Sequence, residues 1–238
     1  MKNSMCYFCS VLFLLLILGS NSFAQESTSS MQFSLFGGLS LPQGDFGSTA
    51  NAKNENKAGF ANTGFCAMVE GSKSLNENVM WVSSLSLALN SMDEDAIKSD
   101  YFNSDYSVTA GSYLTVLAMT GIGYETAISP TIDIYGLGQI GLLLSSVPDI
   151  KGTIANYSSG NLDVNITTKM GASFAYGFGG GIKINKINIG LRYYSSEPEY
   201  EITGNSTYTS GSYTSKDTKT EKFKKPVTVL QLLVGFNF

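Results

Sequence analysis

The sequence predicts an all-β fold, an eight-stranded antiparallel up-and-down transmembrane β-barrel with long loops at one end and short turns at the other. Three observations predict it. Apolar side chains alternate with small or polar ones along eight segments, the period of a β-strand. The connections between these segments alternate between long and short. An export segment opens the chain, yet no later apolar stretch has the roughly 20 residues that a membrane helix needs. A chain that crosses lipid without helices must close its sheet, because only closure pairs every backbone N–H and C=O.

The export segment consists of Lys2, an apolar run from Val11 to Leu18, and the small-x-small pattern Ser22-Phe23-Ala24. Residues 1–24 are therefore expected to be a cleaved signal peptide, with Gln25 as the mature start and residues 25–30 as a short polar leader. Cys6 and Cys9 leave with the signal, so only Cys66 remains and no internal disulfide can form. The remaining 214 residues carry 14 Lys plus Arg against 19 Asp plus Glu, a formal charge of −5. That balance offers no basic stripe for nucleic acid.

Within residues 31–238 the expected strands are Met31–Leu41, Gly59–Ser72, Val79–Asn90, Tyr113–Glu125, Thr131–Ser145, Ser173–Asn185, Ile187–Tyr194 and Val227–Phe238. Long connections follow the first, third, fifth and seventh. Short ones, at Lys73–Asn78, Thr126–Pro130 and Lys186, follow the second, fourth and sixth. Short periplasmic turns and long extracellular loops are the asymmetry of outer-membrane barrels, and an even strand count returns both termini to the periplasmic side. Part of the third long connection reads as a hairpin that continues beyond the membrane, with Ile150–Ala155 and Leu162–Thr168 around Ser158-Ser159-Gly160-Asn161.

The sixth strand fixes its facing most clearly. Phe174, Tyr176, Phe178, Ile182 and Ile184 share one side, while Ala175, Gly177, Gly179, Gly181 and Lys183 share the other. A soluble sandwich would put charged or hydroxylated residues on its water face, whereas small residues suit the crowded interior of a narrow barrel. The fifth strand places Ile132, Ile134, Ile140, Leu142 and Leu144 outward, with Asp133, Tyr135, Gln139 and Gly141 inward. The fourth places Leu114, Val116, Ala118, Ile122 and Tyr124 outward, against Thr115, Met119, Gly121, Gly123 and Glu125. Trp81, Tyr124 and Phe238 fall near the short turns, where amphipathic rings meet lipid headgroups.

In the final strand Phe238, Phe236, Val234, Leu232 and Leu230 occupy every second position. This resembles the C-terminal strand of outer-membrane β-barrels, whose terminal aromatic and alternating apolar residues are read by the barrel assembly machinery. Together with Phe36-Gly37-Gly38-Leu39-Ser40-Leu41-Pro42-Gln43-Gly44-Asp45-Phe46, it makes the chain resemble the small outer-membrane proteins of the OmpA, OmpX and OmpW type, the "porin family" in loose usage. The resemblance implies a fold and a compartment, the Gram-negative outer membrane. It implies outer-membrane lipids, the assembly machinery and periplasmic chaperones as partners, and a monomer. It implies no catalytic activity.

The chain has no histidine, the side chain that most readily exchanges a proton near neutral pH, which argues against an enzyme. No catalytic residue, cofactor or metal is expected. Gly136-Leu137-Gly138-Gln139-Ile140-Gly141 spells the dinucleotide fingerprint, but Leu142–Leu144 continue the strand where a phosphate-binding helix would have to begin. Its glycines are expected to be close-packing positions in a small barrel. Glu70, Glu125, Asp133, Lys183 and Arg192 fall on luminal faces, and buried charges require partners. They are expected to form an ion-pair and hydrogen-bond network that plugs the lumen, with Arg192 one level above the others. Asp93, Glu94, Asp95, Asp100 and Asp105 form an acidic loop without the spacing of a Ca²⁺ site. Lys216, Lys219, Lys222, Lys224 and Lys225 could touch lipopolysaccharide phosphates or stay solvated.

Two functional classes follow. One is a plugged structural barrel that displays its loops at the cell surface, to a host surface among others. The alternative is transport of small solutes or hydrophobic compounds, as the OmpW resemblance allows. Eight-stranded barrels are just wide enough for side chains to fill, which favours the first.

Overall fold

A computed structural model of the chain describes residues 31–49, 58–101, 106–157 and 160–238. The expected signal peptide and leader, and Asp105 of the acidic loop, lie outside the described residues. In chain order the strands are β1 (Met31–Pro42), β2 (Gly64–Ser74), β3 (Val79–Ser91), β4 (Tyr106–Ala110), β5 (Ser112–Ser129) and β6 (Ile132–Ser146). They continue with β7 (Ile150–Tyr157), β8 (Gly160–Ile184), β9 (Ile187–Ser196), β10 (Glu199–Ser210), β11 (Tyr213–Lys224) and β12 (Val227–Asn237). A single α-helix among the described residues, α1 (Glu94–Tyr101), lies between β3 and β4.

Eight of these strands close into a ring in the order β1, β2, β3, β5, β6, β8, β9, β12, with every neighbour antiparallel. Because β12 pairs with both β9 and β1, the barrel has no open edge. The registers also fix its shear. Partners traced from Gln32 run through Ser72, Val82, Gly121, Gln139, Gly177, Tyr194 and Val229 and arrive at Pro42, ten residues further along β1. Eight strands with that stagger tilt by roughly 40° and enclose a narrow interior.

The ring strands are the eight expected ones, and their faces follow the predicted alternation. Outside, Leu35, Val69, Leu87, Ile122, Ile140, Phe174, Ile189 and Val234 are all exposed. The charged residues of the paired ring segments point inward, apart from Lys73 near the end of β2. A continuous apolar coat of this extent has no counterpart on a soluble monomer and fits a hydrocarbon environment. Even polar groups on this surface satisfy each other: Trp81 Nε1 donates to Thr120 Oγ1 (2.7 Å), which also bonds Ser83 Oγ (2.9 Å).

At the short-turn end, Asn185 adopts a left-handed backbone (φ 54°), which allows a two-residue turn between β8 and β9. The long connections are more structured than loops. The expected hairpin forms from β7 and the first half of β8. The last connection, predicted only as a loop, is a second hairpin of β10 and β11 whose turn uses Gly211 (φ 58°). With β4 these strands build a five-stranded sheet in the order β4, β7, β8, β10, β11, standing on the 25-residue β8. A register shift between Glu199 and Glu201 marks the passage from barrel to extension.

The acidic segment is likewise a helix rather than an irregular loop. Asp93 caps it by accepting from Ala96 N–H (2.9 Å), and Glu94 accepts from Ala110 N–H (2.8 Å), so these carboxylates hold the helix in place. The first long connection also departs from expectation. β2 begins at Gly64 instead of Gly59, because Ala58–Ala61 fold over the mouth and are buried there. Gly59 lies so close to the Gly44–Phe46 turn that a β-carbon would stand 2.0 Å from Phe46 O. Phe60 is held in the left-handed region (φ 53°) by bonds from its N–H to Ser48 O and from Asp93 N–H to its own carbonyl.

Candidate functional site

The barrel interior carries its ion pairs near the short turns and its largest apolar cluster near the long loops. Among the paired charges, Arg192 on β9 is wholly buried. Its Nη2 donates to Glu70 Oε2 (3.1 Å) on β2 and to the Tyr135 hydroxyl (3.2 Å) on β6, and its Nη1 reaches Gly180 O (3.3 Å). Tyr135 in turn donates to Asn188 Oδ1 (2.9 Å). Closer to the turns Lys183 and Glu125 form a second ion pair, and the Lys183 ammonium lies 5.6 Å from the Tyr135 ring centroid. The Arg192 guanidinium lies 5.0 Å from the same ring. Tyr135 therefore links the two pairs through its ring and hydroxyl.

Four of the five charges singled out from the sequence thus meet, as two pairs: Glu70 with Arg192, and Glu125 with Lys183. Asp133 does not join them. It stands opposite Lys183 in the β6–β8 register, but Lys183 turns to Glu125 and Asp133 has no ion-pair partner among the described residues. The hub, Tyr135, was legible only as an inward residue of its strand. The signal that could have found it is the glycine series Gly177, Gly179 and Gly181 on the facing strand, since gaps on one luminal face imply large side chains entering from another.

Next come neutral bonds: Gln139 Nε2 donates to Ser84 Oγ (3.2 Å), Tyr194 Oη donates to Gln139 Oε1 (3.3 Å), and Gln231 Nε2 donates to Ser86 Oγ (3.1 Å). Beyond them buried polar pairs such as Ser40 with Asn90 (2.9 Å) share the lumen with its largest apolar cluster. Tyr113, Leu117, Met119, Leu143, Val227 and Val229 pack together beneath Phe46. Phe46 meets the Tyr113 ring edge-on at 5.0 Å, and the Tyr113 hydroxyl donates to Gly59 O (2.6 Å), tying the folded-over segment to the barrel wall.

The dinucleotide-like glycines do not act together. Gly136 and Gly138 face outward, with nothing within 4 Å of a β-carbon on Gly138, and only Gly141 is at a close approach, 2.0 Å from Ala118 O. The expectation of close packing thus holds for one glycine of the three. Leu230, Leu232, Val234, Phe236 and Phe238 lie along the outer surface of the closing strand, and the Phe236 and Phe238 rings touch edge-on at 5.3 Å. Cys66 is free and buried in the lumen.

No family model and no curated protein matches the chain. Among solved structures the chain is similar to a major outer membrane protein from Thermus thermophilus, at 9% identity and a TM-score of 0.47, over 88% of this chain and 100% of that one. It is also similar to the outer membrane protein OprG from Pseudomonas aeruginosa, at 11% identity and a TM-score of 0.44, over 88% of this chain and 97% of that one. The eight-stranded barrel described above stands on its own strand pairing.

Proposed function

We propose that this protein is an integral outer-membrane barrel that conducts no solute and serves as a rigid base for a recognition surface outside the cell. One observation carries the reading: Arg192, in mid-lumen, is wholly buried and bonded to Tyr135 two strands away around the ring and to Glu70 three strands away in the other direction. A charged side chain loses all exposure only where neighbours leave no water column, and here its neighbours are the protein's own Glu70, Tyr135 and Gly180. The apolar cluster under Phe46 closes the lumen a second time. What the chain adds beyond the barrel is the five-stranded sheet, whose lateral face carries Thr109, Lys151, Asn165, Asn205 and Thr218 in one row across the strands.

The apolar coat takes outer-membrane lipid as its solvent. The exposed end of β12 suits recognition by the assembly machinery, and periplasmic chaperones would hold the unfolded chain before that step. Lysines of β11 are in reach of lipopolysaccharide phosphates. Without histidine, and with Glu70, Glu125, Lys183 and Arg192 paired with one another, the reading is of a non-catalytic protein.

Cysteine labelling tests the placement. Ser212→Cys, at the β10–β11 turn, should react with a membrane-impermeant maleimide on intact cells. Glu77→Cys, at the β2–β3 turn, should react only after the outer membrane is permeabilised. The opposite pattern would invert the barrel, and labelling of both on intact cells would remove it from the membrane.

A further inference from the structure

We propose that two copies of this chain, each in its own membrane, join head to head through antiparallel pairing of their β11 strands, making the protein a self-recognising contact between apposed cells. This rests on the reading that the β10–β11 hairpin lies outside the cell.

Strand β11 borders the five-stranded sheet and pairs only with β10 among the described residues. Its second edge offers a row of backbone donors and acceptors, and its side chains are exposed from Tyr213 to Lys222. Edges of this length are commonly blocked by lysines, and β11 carries Lys216, Lys219, Lys222 and Lys224. Here they are interleaved with Asp217 and Glu221, and that order selects a partner.

Two identical strands pair about a twofold axis perpendicular to the sheet, so the axis passes through one residue and each face of the sheet continues into the same face of the partner. Axes at Lys216, Asp217, Lys219 or Glu221 set that charge against its own copy. An axis at Thr220 sets Lys216 against Lys224. An axis at Thr218 avoids every such conflict. It places Asp217 opposite Lys219 twice, Tyr213 opposite Phe223 twice, Lys216 opposite Thr220 and Thr214 opposite Lys222. Opposite-charge and aromatic pairs directly across antiparallel strands are stabilising, and like charges are not. The sequence of β11 is thus complementary to itself in one central register.

Direction decides where the second copy sits. β11 descends from the hairpin tip at Tyr213 towards the barrel at Lys224. In an antiparallel pair the partner strand descends the other way, so the two barrels stand at opposite ends of a joined ten-stranded sheet, each in a separate membrane.

The test uses the whole protein reconstituted in vesicles of phosphatidylethanolamine and phosphatidylglycerol, with clustering followed by light scattering. Wild-type vesicles should cluster. In a self-pair Asp217→Lys sets two lysines against each other at both charged positions, and Lys219→Asp sets two aspartates against each other there. Each variant alone should therefore lose clustering. Mixing the two vesicle populations restores attraction across the interface, since every lysine-bearing strand then meets an aspartate-bearing one, and should restore clustering, which a folding defect could not do. Dispersed wild-type vesicles, undiminished clustering by either variant, or no rescue on mixing would each overturn the proposal. Labelling of Ser212→Cys on intact cells separates the outcomes: if it labels while vesicles stay dispersed, the pairing fails and the surface-display reading stands, and if it does not label, that reading fails first.

Discussion

The Tyr135 hydroxyl stands 2.5 Å from where a β-carbon on Gly181 would be. The glycine is the space that the network's hub occupies. Gly190, on the next strand, leaves a second gap 2.8 Å from the same oxygen. A β-carbon on Gly181 would also stand 2.3 Å from Ile189 O, so Gly181→Ala is expected to displace Tyr135 and strain the β8–β9 pairing, destabilising the barrel by about 1–3 kcal/mol, the usual cost of overpacking. Gly37→Ala, facing outward with nothing within 4 Å, should change stability by less than about 0.5 kcal/mol. Guanidinium unfolding of both variants in vesicles checks the contrast, and equal effects would contradict it.

Arg192 and Glu70 are buried together, so each is costly without the other. Arg192→Met or Glu70→Gln alone should destabilise by about 3–5 kcal/mol, since each leaves one buried group uncompensated. The double variant should lose less than the sum of the two. A double-mutant cycle from unfolding midpoints measures the coupling, and strict additivity would show that the pair does not act as a unit.

Lys183 and Glu125 lie at the more open end of the lumen, so replacing them should weaken the barrel without opening it. Lys183→Met is expected to lower the melting temperature while leaving assembly intact. An unchanged melting temperature would mean that the pair contributes nothing to the network.

Lys225, half-buried where β11 passes into β12, has its ammonium pushed down by burial from 10.5 to about 8. Below that value folded and unfolded chains both carry the charge, and burial penalises the fold in full. Between about 8 and 10.5 the unfolded chain binds more protons, so stability rises with pH as the penalty fades. Lys225→Met should therefore stabilise the protein at about pH 7, with a gain that shrinks by about pH 9.5. A gain independent of pH would point to packing instead of charge.

The barrel was legible in the sequence because lipid favours apolar residues at outward positions such as Phe174, Tyr176 and Phe178, and the period of two survives along the ring strands. The luminal charges were legible as a set for the same reason, because a charge on the inner face of a narrow barrel has few places to go. Their partners were not. Whether Lys183 reaches Glu125 or Asp133 depends on side-chain direction across three strands, and Tyr135 became a hub through gaps on β8 and β9. Outside the membrane that preference lapses. The β10–β11 hairpin and helix α1 carry polar residues on exposed faces, so alternation no longer separates strand from loop. The folding of Phe46 and Phe60 into the mouth depends on contacts with residues far along the chain.

Closure of the lumen is the central claim, and single-channel conductance of the refolded protein in a planar bilayer tests it most directly. The proposed plug predicts silence from the wild type. It also predicts silence from the Lys183→Ala, Glu125→Ala double variant, because under that proposal Arg192, Tyr135 and the apolar cluster under Phe46 still block the path. Steady wild-type conductance would contradict the plug and make the protein a transporter.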